Sequence, residues 1–215
     1  MEFWRTFTGG LLTAFLVELV MMLFAFIFVK AKNSSLLKAF SASRIFGHGI
    51  EYAYKDQNEA LDDIKKDIKI SDNISIFCIR GRSYIQQDEE LSYVLDSHKN
   101  IRFLLSNPDN PYVIKRAAEL NMTAEDYKTQ LRVNLRELIR NSHEKNYIQK
   151  KVHNEPPVFR ILILDNRLYF SYFKEHKMGS KLPVFRAKYS SEIYVGFKRY
   201  FDYHWDNSQD MPANI

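Results

Sequence analysis

The sequence contains very little cysteine, since Cys78 is the only one among its 215 residues. One thiol cannot build an internal disulfide framework, and its position in an apolar run predicts a small buried side chain in a reducing compartment. Zinc-type spacings, internal repeats, low-complexity tracts, P-loops and G-x-G-x-x-G motifs are also missing. These absences exclude a disulfide-rich secreted scaffold and a repeat protein, and we expect neither a metal nor a cofactor.

The charge balance is modest. Lys and Arg number 31, Asp and Glu number 26, and the formal net charge is +5. A mildly basic chain favours anionic partners such as nucleotides or phospholipid head groups. The excess is too small for a nucleic-acid coat, so no direct binding to a nucleic-acid duplex is expected.

Long apolar runs are rare as well, with one exception near the amino terminus. The run GLLTAFLVELVMMLFAFIFV, residues 10–29, is twenty residues long and carries one charge, Glu18. At about 1.5 Å per residue such a helix spans the roughly 30 Å core of a bilayer. A buried soluble helix and a signal peptide are the alternatives. Lysines surround Ala31, which does not suit a cleavage site, so we expect an uncleaved membrane anchor.

Positive charges are distributed unevenly around this run. Arg5 precedes it, whereas four basic residues follow closely: Lys30, Lys32, Lys38 and Arg44. Since basic residues concentrate on the cytoplasmic side, the carboxyl-terminal part is predicted to be cytoplasmic. The predicted organisation is an extracytoplasmic amino terminus (1–9), a membrane helix (10–29), a juxtamembrane connector (30–49), a cytoplasmic domain (50–207) and a tail (208–215).

Glu18 lies near the centre of the apolar run, where a carboxylate is costly unless it is neutral, paired or hydrated. Gly10, Ala14 and Glu18 recur every four residues on one helix face, and small residues there allow close approach of a second helix. Three interpretations stay open. Glu18 hydrogen-bonds between copies, lines a pore, or is tolerated because its apolar neighbours insert strongly. The first two predict a homo-oligomer within the lipid bilayer.

Two apolar strands, 74–79 and 101–105, flank a predicted helix and so form a β-α-β unit with parallel pairing. Ligands collect outside the carboxyl ends of such strands. The first end carries Arg80, Gly81, Arg82 and Ser83, and the second carries Ser106 and Asn107. Guanidinium groups match phosphate oxygens, so these ends predict a phosphate-binding site. Ordinary solvated turns are the alternative.

Apolar periodicity and turn residues predict the other elements. Helices are expected over 53–67, 88–98, 112–121, 123–146 and 190–205, and further strands over 158–165, 168–173 and 183–188. The first two of these strands are separated by two residues, which is typical of an antiparallel hairpin. The predicted fold class is α/β with a mixed sheet.

The order of these elements, with IRFLLSNPDNP and PPVFRILILDNRLYFSYF, resembles single-copy phospholipase D-like domains of bacterial proteins. Enzymes of that family carry H-x-K-x4-D, in which the histidine is the nucleophile and the lysine holds phosphate. With the aspartate at Asp165, the lysine position is Arg160 and the histidine position is Val158. The resemblance therefore implies a phosphate pocket that retains Arg160 and has no catalytic residue at the nucleophile position.

A second resemblance concerns architecture alone. One membrane helix joined to a cytoplasmic α/β domain is similar to membrane-anchored effectors of bacterial antiviral systems, including CARF-domain proteins that bind cyclic oligoadenylate. It implies a single-pass protein of the bacterial inner membrane. The leading hypothesis is a non-enzymatic effector whose domain senses a cyclic nucleotide, another phosphate-bearing ligand or a partner protein, and then disrupts the membrane.

Two alternatives belong to other classes. The chain could be a scaffold that tethers a partner protein at the inner membrane. It could also be a membrane-tethered phosphodiesterase or nuclease of phospholipase D type that uses His143, His153 or His176 with Asp165.

Substitution of Glu18 by leucine tests the proposed helix contact. If the carboxyl group joins copies of the helix, Glu18→Leu should weaken oligomers in detergent, because the interhelical hydrogen bond is lost. Chemical crosslinking of the two proteins measures this, and an unchanged crosslinking pattern would show that Glu18 does not hold the helices together.

Overall fold

The computed structural model describes residues 49–156, 158–173 and 179–212. The predicted membrane helix, with Gly10, Ala14 and Glu18, lies outside the described residues. Within the described ranges, no helix combines the length and the apolarity needed to cross a bilayer.

The described residues form one eight-stranded sheet. Its strands are β1 (Ile50–Tyr54), β2 (Asn73–Cys78), β3 (Asn100–Ser106), β4 (Ile148–His153), β5 (Phe159–Leu164), β6 (Arg167–Tyr172), β7 (Val184–Lys188) and β8 (Gln209–Asp210). Their order is β1-β7-β6-β5-β2-β3-β4-β8. Strands β2, β3 and β4 are parallel, and every other pairing is antiparallel. The predicted mixed α/β sheet is confirmed.

The described residues also form five α-helices: α1 (Gln57–Ile70), α2 (Arg82–Ile85), α3 (Tyr112–Glu119), α4 (Ala124–Asn141) and α5 (Glu192–Asp206). Two 3-10 turns cover Ser92–Asp96 and Gly179–Lys181. Side chains of β2 alternate between two apolar clusters, because neighbouring residues of a strand point to opposite faces. Ile76 packs in the cluster that contains α1 and α4, whereas Phe77 packs in the cluster that contains α5. Helices therefore cover both faces of the sheet.

Several predicted elements are confirmed with shifted ends. The first helix begins at Gln57 and not at residue 53, because Asp56 caps it by accepting hydrogen bonds from the backbone N–H groups of Asn58 and Glu59, at 3.0 and 3.2 Å. A side chain that satisfies the first N–H groups sets the point at which a helix starts. The segment 88–98 forms only the 3-10 turn Ser92–Asp96, although Leu91 and Leu95 are buried as predicted.

Sequence reasoning missed three strands, β1, β4 and β8. The helix predicted over 123–146 ends at Asn141, and Ile148–His153 then forms β4, the third parallel strand. The segment IQKKVH does not read as a buried strand because Lys150 and Lys151 occupy its centre. Strand β1 pairs only with β7 at the sheet edge, and within the predicted tail β8 pairs with β4.

Two buried histidines pack on the α5 side of the sheet. The ring of His153 stacks on Phe77 at 4.6 Å between centroids, and the ring of His204 lies 5.9 Å from the same phenylalanine. His153 is 4% exposed. Burial, with a smaller contribution from His204, lowers the pKa of His153 to about 3. Burial also lowers the pKa of His204, against the opposing effect of Glu155.

These histidines predict acid lability. Unfolded histidine takes up a proton near pH 6.5, but folded His153 does so only near pH 3. The free energy of unfolding should therefore be level above about pH 7 and fall below pH 6.5, by up to about 1.4 kcal/mol per pH unit for this group. Urea unfolding of the full chain in a nonionic detergent, at several pH values, measures the slope.

The matched control is an exposed histidine. His153→Gln should give a shallower pH dependence between pH 6.5 and 4, whereas His143→Gln should match the original chain, because His143 is exposed in both states. Equal slopes in all three proteins would contradict the assignment to His153.

Candidate anion-binding site

The site lies where two strands of opposite direction meet. Because β5 runs antiparallel to β2, with Phe77 opposite Ile161, the start of β5 lies beside the carboxyl end of β2. A cavity of about 230 Å³ opens there. Its polar lining comes from the loops on either side of α2, from the 3-10 turn at Gly179 and from α1, α2, α3, α4 and β5. The lining residues are Gln57, Arg80, Arg82, Ser83, Tyr84, Glu89, Arg116, Tyr127, Arg160 and Ser180.

The loop after β2 turns sharply into α2. Gly81 has a φ of +65°, in the left-handed region that favours glycine. A Cβ atom at this position would lie 2.8 Å from Ile85 Cδ1 and 3.0 Å from Leu105 Cδ2. Glycine therefore allows Arg80 and Arg82 to follow a buried strand at once and still line the cavity.

Arg160, in β5, lines the cavity. It donates one hydrogen bond to Gln57 Oε1 and another to Ser171 Oγ, the latter at 3.2 Å. Gln57 in turn donates from Nε2 to Ser83 Oγ at 3.1 Å. Burial lowers the pKa of Arg160 from its ordinary value. These hydrogen bonds link β6, β5, α1 and α2, so the guanidinium group is held by neutral partners on fixed elements.

Arg80 in the loop and Arg82 at the start of α2 line the same cavity. Arg80 donates from Nη1 to Gln130 Oε1 at 2.7 Å, and its guanidinium lies 5.6 Å from the centroid of the Tyr127 ring. Arg82 donates from Nε to Glu89 Oε1 at 2.8 Å. Asn134 donates to the carbonyl oxygen of Arg80 at 3.0 Å, which ties the loop to α4.

Sequence reasoning missed Arg116, the fourth arginine of the cavity. It is 3% exposed, pairs with Glu119 at 2.7 Å and lies over the ring of Phe173 at 5.1 Å. It also hydrogen-bonds to Tyr127, whose pKa is raised mainly by burial. A signal was present, because Val113, Arg116 and Ala117 share the inward face of α3 at spacings of three and four.

The two predicted loops do not form one site. The structure brings Arg80, Gly81, Arg82, Ser83 and Arg160 together, but Ser106 and Asn107 do not line the cavity. Ser106 accepts a hydrogen bond from Asn110 at 3.3 Å, and Asn107 accepts one from the backbone of Asp109 at 3.0 Å. Ser106 shares the α5 face with Leu104, because strand side chains alternate, and the cavity is on the other face.

Asp165 and His153 are also kept apart. Asp165 follows β5 and accepts hydrogen bonds from the backbone N–H groups of Asp72 and Asn73, at 2.6 and 3.1 Å, at the start of β2. His153 pairs with Ser106 at the opposite end of the parallel strands. Burial acts to raise the pKa of Asp165, but these hydrogen bonds and one from the Asn73 side chain outweigh it, so the pKa is lowered. Catalysis by His153 with Asp165 therefore has no geometric basis, and His176 lies outside the described residues.

No protein-family model matches the chain, and no curated protein matches it either. Among solved structures it is similar to Nuc from Salmonella typhimurium, a phospholipase D family member, with 9% identity and a TM-score of 0.50 over 74% of this chain and 97% of that one. This likeness shows a phospholipase D-like fold.

Two further structures match with lower TM-scores. NucT from Helicobacter pylori matches with 10% identity and a TM-score of 0.46, over 72% of this chain and 92% of its own. TrmBL2, an archaeal chromatin protein, matches with 11% identity and a TM-score of 0.47, over 94% and 71%.

The turn at Gly81 gives a stability prediction. Gly81→Ala should lower the free energy of unfolding by about 1–2 kcal/mol, because an L-residue in left-handed backbone is strained and the added methyl meets Ile85. The control is Gly196→Ala within α5, where nothing lies within 4 Å of the added Cβ. That change should stabilise the chain by about 0.5–1 kcal/mol. Urea unfolding measures the free energy of unfolding of both variants. An unchanged value for Gly81→Ala would show that alanine is not strained at this position.

Proposed function

We propose that this phospholipase D-like domain binds a phosphate-bearing ligand in the arginine cavity and does not form a covalent phosphohistidine. The observation that carries the proposal is the convergence of four arginines, Arg80, Arg82, Arg116 and Arg160, on one small cavity. Glu89 is the only carboxylate among its described lining residues. Planar guanidinium groups bind phosphate oxygens through paired, charge-assisted hydrogen bonds, which suits an anion of this kind.

The position of the family motif supports binding without hydrolysis. In the proposed alignment on Asp165, Arg160 stands at the phosphate-holding lysine and lines the cavity. Val158 stands at the nucleophilic histidine and is 45% exposed. A valine side chain has no atom that can attack phosphorus, so no covalent intermediate forms at this position. None of the described histidines, at 98, 143, 153 and 204, lines the cavity.

The proposed consequence of binding is a response of the membrane anchor. The predicted helix over 10–29 and its Glu18 support this part of the proposal from sequence alone. We propose that ligand-bound domains rearrange a cluster of anchors and so disrupt the membrane, as in an antiviral effector. A ligand can act this way only if it binds two arrangements with different affinity.

The binding proposal is tested with inorganic phosphate. We expect isothermal titration calorimetry on the full chain, in a maltoside detergent free of phospholipid, to show binding. Arg160→Gln and Arg80→Gln should each weaken it about tenfold or more, because a hydrogen bond to a charged group contributes about 1.5–3 kcal/mol. Arg132→Gln is the control. It removes an arginine that pairs with Asp109 and Glu125 outside the cavity, and should bind as the original chain does.

The alternatives give different results. Absence of phosphate binding, with the chain folded, would overturn the proposal in favour of a scaffold that tethers a partner protein. Hydrolysis of bis(p-nitrophenyl) phosphate above the buffer rate would favour the phosphodiesterase or nuclease instead.

A further inference from the structure

The four arginines of the cavity differ in their partners. Two of them have a carboxylate close by: Arg82 pairs with Glu89 at 2.8 Å, and Arg116 pairs with Glu119 at 2.7 Å. Each of these pairs is neutral overall, so these arginines add hydrogen-bond donors to the cavity but little net charge.

The other two arginines have only neutral hydrogen-bond partners within the described ranges. Arg80 donates to the amide oxygen of Gln130, and Arg160 donates to the amide oxygen of Gln57 and to the hydroxyl of Ser171. Neither forms an ion pair with a carboxylate in the described part of the chain. Among the described residues, no carboxylate therefore compensates these two positive charges, and Arg160 is partly buried. Buried charge is costly unless it is paired, so an anion in the cavity would relieve this cost.

The size of the cavity limits what this anion can be. Pockets for drug-sized ligands measure about 300–1,000 Å³, whereas this cavity measures about 230 Å³. It accommodates one phosphate group with a small part of its substituent, and a cyclic dinucleotide is too large to enter whole. Arg80 and Arg160 both line this cavity, so one compact anion bound in it lies in the field of both charges.

Tyr84 adds a neutral donor to the same cavity. Burial raises the pKa of its hydroxyl, so the group keeps its proton at every ordinary pH. A phosphate monoester has three terminal oxygens, whereas a diester has two. This hydroxyl and the guanidinium groups of the cavity offer enough donors for all three terminal oxygens of a monoester.

We propose that the cavity binds a terminal phosphate monoester as its dianion, in preference to a phosphodiester. The inference rests on the proposed phosphate-binding function and refines it. A monoester carries about two negative charges above its second pKa near 6, whereas a diester carries one at any ordinary pH. Two uncompensated guanidiniums neutralise the monoester fully and leave excess positive charge around a diester. The substituent, such as a nucleoside, extends through the opening.

The test compares two ligands that differ in one ester bond. AMP ends in a monoester and 3′,5′-cyclic AMP holds the same phosphate as a diester. We expect the full chain in maltoside to bind AMP at least tenfold more tightly at pH 8. At pH 5 about nine-tenths of the AMP phosphate carries a single charge, so the preference should shrink severalfold, by up to about tenfold. Circular dichroism at both pH values confirms that the chain stays folded.

Variants separate charge from shape. Arg160→Gln should remove most of the preference for AMP at pH 8, and Arg132→Gln should keep it. A preference that is the same at pH 5 and pH 8 would point to shape and overturn the charge argument. Equal affinity for both ligands, or binding of inorganic phosphate alone, would overturn this inference and leave the proposed function standing. Binding of none of the three would overturn both.

Discussion

The site depends on the pairing of β5 with β2 more than on any other contact. Because β2 and β3 are parallel, their carboxyl ends and the loops that follow lie at the same end of the sheet. Antiparallel pairing with β5 then brings Arg160, which follows Arg80 by 80 residues, to the same end of the sheet. A one-residue slip in this register would turn Arg160 to the α5 face, because strand side chains alternate. The register therefore decides whether Arg160 lines the cavity.

The described groups that accept hydrogen bonds from Arg160 are an amide oxygen and a hydroxyl, and neither is a carboxylate. Gln57 and Ser171 accept hydrogen bonds from Arg160 without cancelling its charge, and Ser83 accepts one from Gln57. These hydrogen bonds fix the orientation of the guanidinium group. Because the partners are neutral, its positive charge still acts on an anion in the cavity. At the other end of the sheet, the charge of Asp165 has a structural role. Its carboxylate accepts hydrogen bonds from the backbone N–H groups of Asp72 and Asn73 and so stabilises the start of β2.

Sequence reasoning succeeded where the pattern was local and strongly apolar. Strands β2, β3, β5 and β6, the hairpin and the closing helix were predictable, as was the loop at Gly81. It failed for β4, because Lys150 and Lys151 hide a strand whose buried residues are Ile148, Val152 and His153. Long basic side chains cover apolar surface with their stems, so a partly buried strand reads as polar. Strand β1 was missed for a related reason, since an edge strand buries few of its side chains.

By itself, the sequence determined three features. They are the α/β class, the segment Arg80, Gly81, Arg82 and Ser83 after β2, and an apolar run at 10–29 long enough to span a bilayer. Those features follow from composition and spacing within short segments. Tertiary structure alone decided which polar residues share a cavity. It brought Arg116 inward, turned Ser106 to the other face and put His153 and Asp165 at opposite ends of the sheet. The reason is physical, because strand order, register and direction are set by packing between distant segments, and local patterns carry no information about them.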